Sequence, residues 1–64
     1  MKIKLTKQEV EDLKEFCDDN LERGIVVIDQ IYTSNNKPIT KVTISGLPET
    51  LTDITDINYW SYEH

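Results

Sequence analysis

From residue 10 to residue 21 the apolar positions recur at helical spacing. At 100° per residue Val10, Leu13, Phe16, Cys17 and Leu21 fall within about 140° of arc, a stripe wide enough to face a core. The other side of the same turns is acidic: Glu11, Glu15, Asp18 and Glu22 follow one another at steps of four, three and four, with Asp12 and Asp19 beside them. Just upstream, Thr6-Lys7-Gln8-Glu9 is a capping box, in which the Thr6 hydroxyl accepts from the amide of Glu9 and Glu9 reaches back. Leu5 and Val10 stand where a hydrophobic staple puts its two members. Gly24 suits the position after a helix, and Arg23 suits its last turn. The pattern predicts one helix over residues 7–23.

The period then changes from 3.6 to 2. Residues 25–33, IVVIDQIYT, are β-branched and read as a strand; SNNKP at 34–38 is a turn; ITKVTIS at 39–45 alternates and reads as the returning strand. A hairpin with a connection of four to six residues is expected. KIKL at 2–5 alternates lysine and apolar residues, as a short edge strand does. GLPE at 46–49 is a turn or loop. After it Leu51, Ile54, Ile57 and Trp60 come at intervals of three, which fits neither a clean strand nor a long helix. A short strand over 50–55 paired with 39–45, followed by an irregular ending, is the expectation; one helical turn after Pro48 is the alternative. The fold class that results is α+β: one amphipathic helix packed on a small antiparallel sheet, in the approximate order β-α-β-β with a short extra strand, forming a single domain over residues 1–64.

The first hairpin strand is apolar on both faces. Val26, Ile28 and Tyr32 point one way, and Ile25, Val27 and Ile31 the other. One helix covers one face of a sheet, so the second needs its own cover. Leu51, Ile54 and Trp60 would supply it within the chain; a second molecule is the other source. Burying an aromatic ring of 150–250 Å² is worth several kcal/mol at roughly 25 cal/mol/Å², so Trp60 is expected in the core of so short a chain. Tyr59, Tyr62 and His64 are expected to be exposed.

Composition sharpens this picture. The chain has 64 residues, 38% of them hydrophobic and 30% charged, which is folded-protein composition. Its formal net charge is −5, and residues 47–64 hold Glu49, Asp53, Asp56 and Glu63 with no Lys or Arg. That sign repels nucleic acid and anionic membranes and favours a protein partner with a basic surface. Lys2, Lys4, Lys37 and Lys41, with Tyr32, are all that would serve nucleic-acid binding, and they read better as solubilising charges. No apolar run opens the sequence, and one cysteine, Cys17, forms no internal disulfide. A reducing cytoplasm is the expected home, without a membrane span.

Catalysis finds little support. The only histidine is His64, the last residue, and Cys17 has no histidine near it in the pattern. Cys17 reads as a buried inert thiol in the core stripe. The glycines, Gly24 and Gly46, form no phosphate-binding loop. Asp53 and Asp56, with Glu49, Glu63 and His64, match neither the calcium loop nor a zinc set, and read as a solvated acidic loop. No cofactor is implied.

The acidic helix face is the feature that carries a function. Like charges four apart on a helix cost a few tenths of a kcal/mol per pair. A small protein accepts that cost more readily where the ridge meets a basic partner, and such a ridge can imitate a run of DNA phosphates. The expected function is a non-enzymatic acidic protein-binding module, an inhibitor or modulator of the kind found among phage and mobile-element accessory proteins. Its candidate partner-binding residues are Glu11, Glu15, Asp18, Glu22, Asp53, Asp56, Tyr59 and Tyr62. The alternatives are a small structural or oligomer-forming protein that uses the second sheet face, including a homodimer, and a weak nucleic-acid binder.

Overall fold

A computed structural model describes residues 2–20 and 22–60, the last of these by its backbone alone. Helix α1 (Lys7–Asp19) is followed by strands β1 (Val26–Tyr32), β2 (Pro38–Ile44) and β3 (Leu47–Asp53) and by a short helix α2 (Ile57–Trp60). The strands form an antiparallel sheet in the order β1-β2-β3. The α+β class stands, with the order α-β-β-β rather than β-α-β-β.

Residues 2–5 are not a strand. The chain there is held by a side chain instead of a ladder: Gln30 accepts from the Lys4 amide at 3.1 Å and donates to the Lys4 carbonyl at 2.7 Å. The same Gln30 amide donates to Thr40 Oγ1 at 2.8 Å. Gln30 therefore supplies to Lys4 both bonds that a neighbouring strand's backbone would have given.

The start of α1 is as the capping box predicts. Thr6 Oγ1 accepts from the Glu9 amide at 3.2 Å, and Glu9 Oε1 accepts from the Thr6 amide at 2.8 Å. Its end comes four residues early. Asn20 is the C-cap; its amide bonds the Phe16 and Cys17 carbonyls, and its side-chain amide donates to the Phe16 carbonyl at 2.9 Å. An asparagine whose side chain bonds a carbonyl of the preceding turn competes with helix continuation. Glu22, at φ +66°, confirms that the helix has ended before Arg23 and Gly24.

Gly24 has another reason to be glycine. Its φ is +142°, and a Cβ there would lie 3.1 Å from Ile44 Cγ2 in the core. Gly24→Ala is expected to lower stability by about 2 kcal/mol, as measured by urea denaturation.

The sheet's two faces follow from the register. Val26, Ile28, Gln30 and Tyr32 pair with Ile44, Val42, Thr40 and Pro38. The β2 members of this set are buried, so this is the core face. Phe16 of α1 packs here with Val42, Ile44 and Ile54, and Leu13, Val26, Ile28 and Leu47 complete the cluster. Thr40 is fully buried and satisfied: besides Gln30, its carbonyl accepts from the Ile54 amide and its amide donates to Thr55 Oγ1. Between Val42 and Ile44 the β2–β3 register shifts. Thr50 Oγ1 takes the Ile44 amide at 2.9 Å and donates to the Leu47 carbonyl at 2.7 Å, so the irregular stretch leaves neither group open.

The β1–β2 connection, residues 33–37, has the expected length, with Asn36 at φ +63°. The third strand exists and pairs with β2, but it begins at Leu47 and takes in Pro48, so no helical turn follows that proline. The chain's helical turn comes later, as α2, where Asp56 Oδ1 accepts from the Tyr59 amide at 3.2 Å.

Two expectations about the core are corrected. Val10 is 50% exposed, while Glu9 is fully buried. The helix is thus rotated by about 40° from the predicted stripe, in the direction that brings Glu9 inward. The second correction concerns the outer face of the sheet. Ile54 lies in the core cluster on the helix side, and Leu51 is 54% exposed on the same face as Val27 and Ile31 rather than covering them. Among the described residues nothing covers that face. Leu21 and the Trp60 side chain, both expected in the core, lie outside the described residues.

Candidate functional site

Rotating α1 toward Glu9 changes which carboxylates work together. Asp12, Glu15 and Asp19 fall within about 60° of arc on the flank of the buried face. That flank looks across a groove to β3. The groove has a volume of about 420 Å³; its helix wall is Asp12, Glu15 and Asp19, and its sheet wall is Glu49, Thr50, Thr52 and Asp53. Phe16 and Ile54, both buried in the core, form its floor, and Asn20 and Arg23 close one end. Five carboxylates against one guanidinium leave a net charge of −4 on the lining.

The local sequence explains why each wall stands where it does. Helix α1 is fixed in rotation at its N-terminus by Glu9, which also binds the chain after β3: Glu9 Oε2 accepts from the Asp56 amide at 2.8 Å, and Thr6 Oγ1 donates to Asp56 Oδ2 at 3.0 Å. At the far end Arg23 Nη1 donates to Asn20 Oδ1 at 3.2 Å, which holds the one cation among the described lining residues beside the groove's closed end. On the sheet side Asp53 ends β3 opposite Lys41. The Thr55 side chain, then the Thr55 amide at 2.9 Å, and at longer range Lys41, hold the Asp53 carboxyl below the ordinary aspartate value. Asp53 is therefore a firmly ionised member of the wall.

The eight residues expected from sequence fare differently. Glu15 and Asp53 line the groove. Glu11 and Asp18 are exposed on the solvent side of α1, away from the groove. Glu22 lies beyond the helix, so the ridge of four carboxylates is not formed. Asp56 is a structural residue, shared between Thr6 and the start of α2. Tyr59 is half-exposed beside a second hollow lined with Leu5, Thr6, Lys7, Gln8 and Asp56. Tyr62 lies outside the described residues.

Asp12 and Asp19, which flank the expected ridge, and Glu49 line the groove although none is among the eight candidates. Asp12, Glu15 and Asp19 are spaced three and four apart, as good a stripe as the one expected, but choosing between them needs the helix rotation. Glu49 joins only through the sheet.

Of the acidic residues near the chain's end, Asp56 bonds Thr6, and among the described residues no set of three metal-binding side chains comes together. Glu63 and His64 lie outside those residues. No described helix is long and apolar enough to cross a membrane. No family model, curated protein or solved structure matches the chain.

Proposed function

We propose that this protein is a non-enzymatic protein-binding module that takes a basic segment of a partner protein into the groove between α1 and β3. One observation carries the reading: carboxylates from two separate elements face each other across a groove with an apolar floor. Lysine and arginine side chains are amphipathic, an aliphatic stem with a cationic head. A stem laid on Phe16 and Ile54 brings its head among Asp12, Glu15, Asp19, Glu49 and Asp53. The net negative lining draws such a segment in over a Debye length and disfavours anionic ligands. Acting as an inhibitor follows naturally if the basic segment belongs to the partner's own working site, a nucleic-acid-binding surface included.

The test compares two variants of equal charge. Glu15→Gln/Asp19→Asn alters the groove, and Glu11→Gln/Asp18→Asn alters the solvent side of the same helix. Binding of a fluorescent Lys/Arg-rich peptide is measured at low and moderate salt. The groove variant is expected to bind about tenfold more weakly, with a shallower salt dependence, and the solvent-side variant within about twofold of the parent. Equal weakening by both would mean that net charge, and not the groove, attracts the peptide.

A further inference from the structure

The outer face of the sheet carries Ile25, Val27, Ile31 and Leu51, which are between 38% and 75% exposed. The charges on this face are ordered. Asp29 pairs in register with Lys41, and Lys41 with Asp53, so one row runs acid, base, acid across β1, β2 and β3. Asp53, at the end of the edge strand, borders both this face and the groove. We propose that this face docks a second copy of the chain, related by a two-fold axis that runs along the strands midway between β1 and β2.

The register dictates the contacts. Such an axis lays β1 of each copy over β2 of the other without changing the height along the strand. Residues paired within one sheet then face each other across the interface. Asp29 meets the partner's Lys41, Ile31 meets the partner's Ile39, and Val27 meets the partner's Thr43. The centre is a closed quartet of two carboxylates and two ammonium groups, flanked on one side by the apolar Ile31–Ile39 pairs and on the other by Val27 against the methyl-bearing Thr43. Ile31 and Val27 lose water there, while the quartet supplies register more than affinity. With Lys41 between Asp29 and Asp53, the face carries both signs of charge in an ordered row, which a second copy matches in register. An axis between β2 and β3 would also match charges, but it would leave Ile25, Val27 and Ile31 outside the contact. The groove, walled by α1, is on the helix side of the sheet and stays open in the pair. The overlap of two strands per copy is at the small end of stable interfaces, which defines a dimer of modest affinity.

Charge exchange tests the arrangement. Asp29→Lys and Lys41→Asp are made singly and together, and each protein is examined by sedimentation equilibrium at concentrations up to about 100 µM, where a modest dimer is populated. Circular dichroism checks that each variant is folded; both positions are exposed. The parent is expected to dimerise, and each single variant to do so at least tenfold more weakly. An equimolar mixture of the two single variants should form the heterodimer, since opposite charges then face each other at both contacts of the quartet. The double variant should recover parental affinity for the same reason. A monomeric parent would overturn the proposal and leave the face to the chain's own end or to another protein. Dimerisation unchanged in Asp29→Lys, or no recovery on mixing, would overturn it equally, by showing that any dimer uses other contacts.

Discussion

Glu9→Ala is expected to cost about 3 kcal/mol, an unusual loss for a helix-capping glutamate. The reason is that this carboxylate does two tasks at full burial. One oxygen closes the capping box on the Thr6 amide, and the other takes the Asp56 amide from the far end of the sheet. Alanine would remove both acceptors and leave the Thr6 and Asp56 amides without them. Hydrogen bonds to a charged acceptor are worth roughly 1.5–3 kcal/mol each, and an orphaned buried donor bears its own desolvation penalty. Glu9→Gln keeps one oxygen but turns an N–H toward one of the two amides, so about half the loss is expected. Urea denaturation of the two variants measures the difference. A loss near 1 kcal/mol for Glu9→Ala, the ordinary value of a cap, would mean that the tie to Asp56 contributes nothing.

Phe16→Ala is expected to cost about 3–5 kcal/mol. Phe16 is the one buried apolar residue of α1, and it meets Val42, Ile44 and Ile54 at the centre of the cluster. A domain of this size has a total stability on the order of 3–10 kcal/mol, so the variant should stand at the edge of unfolding at 25 °C. Phe16→Leu fills most of the volume and should cost about 1 kcal/mol. Thermal melts followed by near- and far-ultraviolet circular dichroism separate the two. The leucine variant also probes function, since Phe16 is part of the groove floor. It should bind the Lys/Arg-rich peptide more weakly even though every carboxylate is retained. Unchanged binding would confine the attraction to the walls.

The two residues show how structure and binding are joined. Glu9 sets the rotation of α1, and the rotation decides that Asp12, Glu15 and Asp19, rather than Glu11 and Asp18, face β3. Buried Glu9 and Phe16 together hold α1 in the rotation that forms the groove.

Local chemistry was readable without the fold. The capping box at Thr6 and Glu9 and the hairpin around residues 33–37 depend on residues close in sequence or on a period of two, and each stands in the structure; the third strand, whose apolar residues recur at intervals of three, pairs with β2 as expected but spans Leu47–Asp53 rather than residues 50–55. The two-faced character of β1 was readable too, because alternation alone separates Val26 and Ile28 from Val27 and Ile31. Where the helix ends was less so. Gly24 and Arg23 are good stop signals, but Asn20 bonds its own preceding turn and stops the helix first.

Tertiary structure alone decided the rest. A hydrophobic stripe places the buried face to within a residue's rotation, yet Val10 and Glu9 differ by one position and exchange roles. The exchange occurs because Asp56, 47 positions away, offers its amide to Glu9. Gln30 similarly replaces a strand partner for Lys4 across 26 positions. Glu49 and Asp53 meet the helix carboxylates only because the β2–β3 turn brings β3 alongside α1. Periodicity along a chain reports which residues share a face. Which face is buried, and what stands opposite it, is set by bonds between residues distant in sequence, and no local pattern contains them.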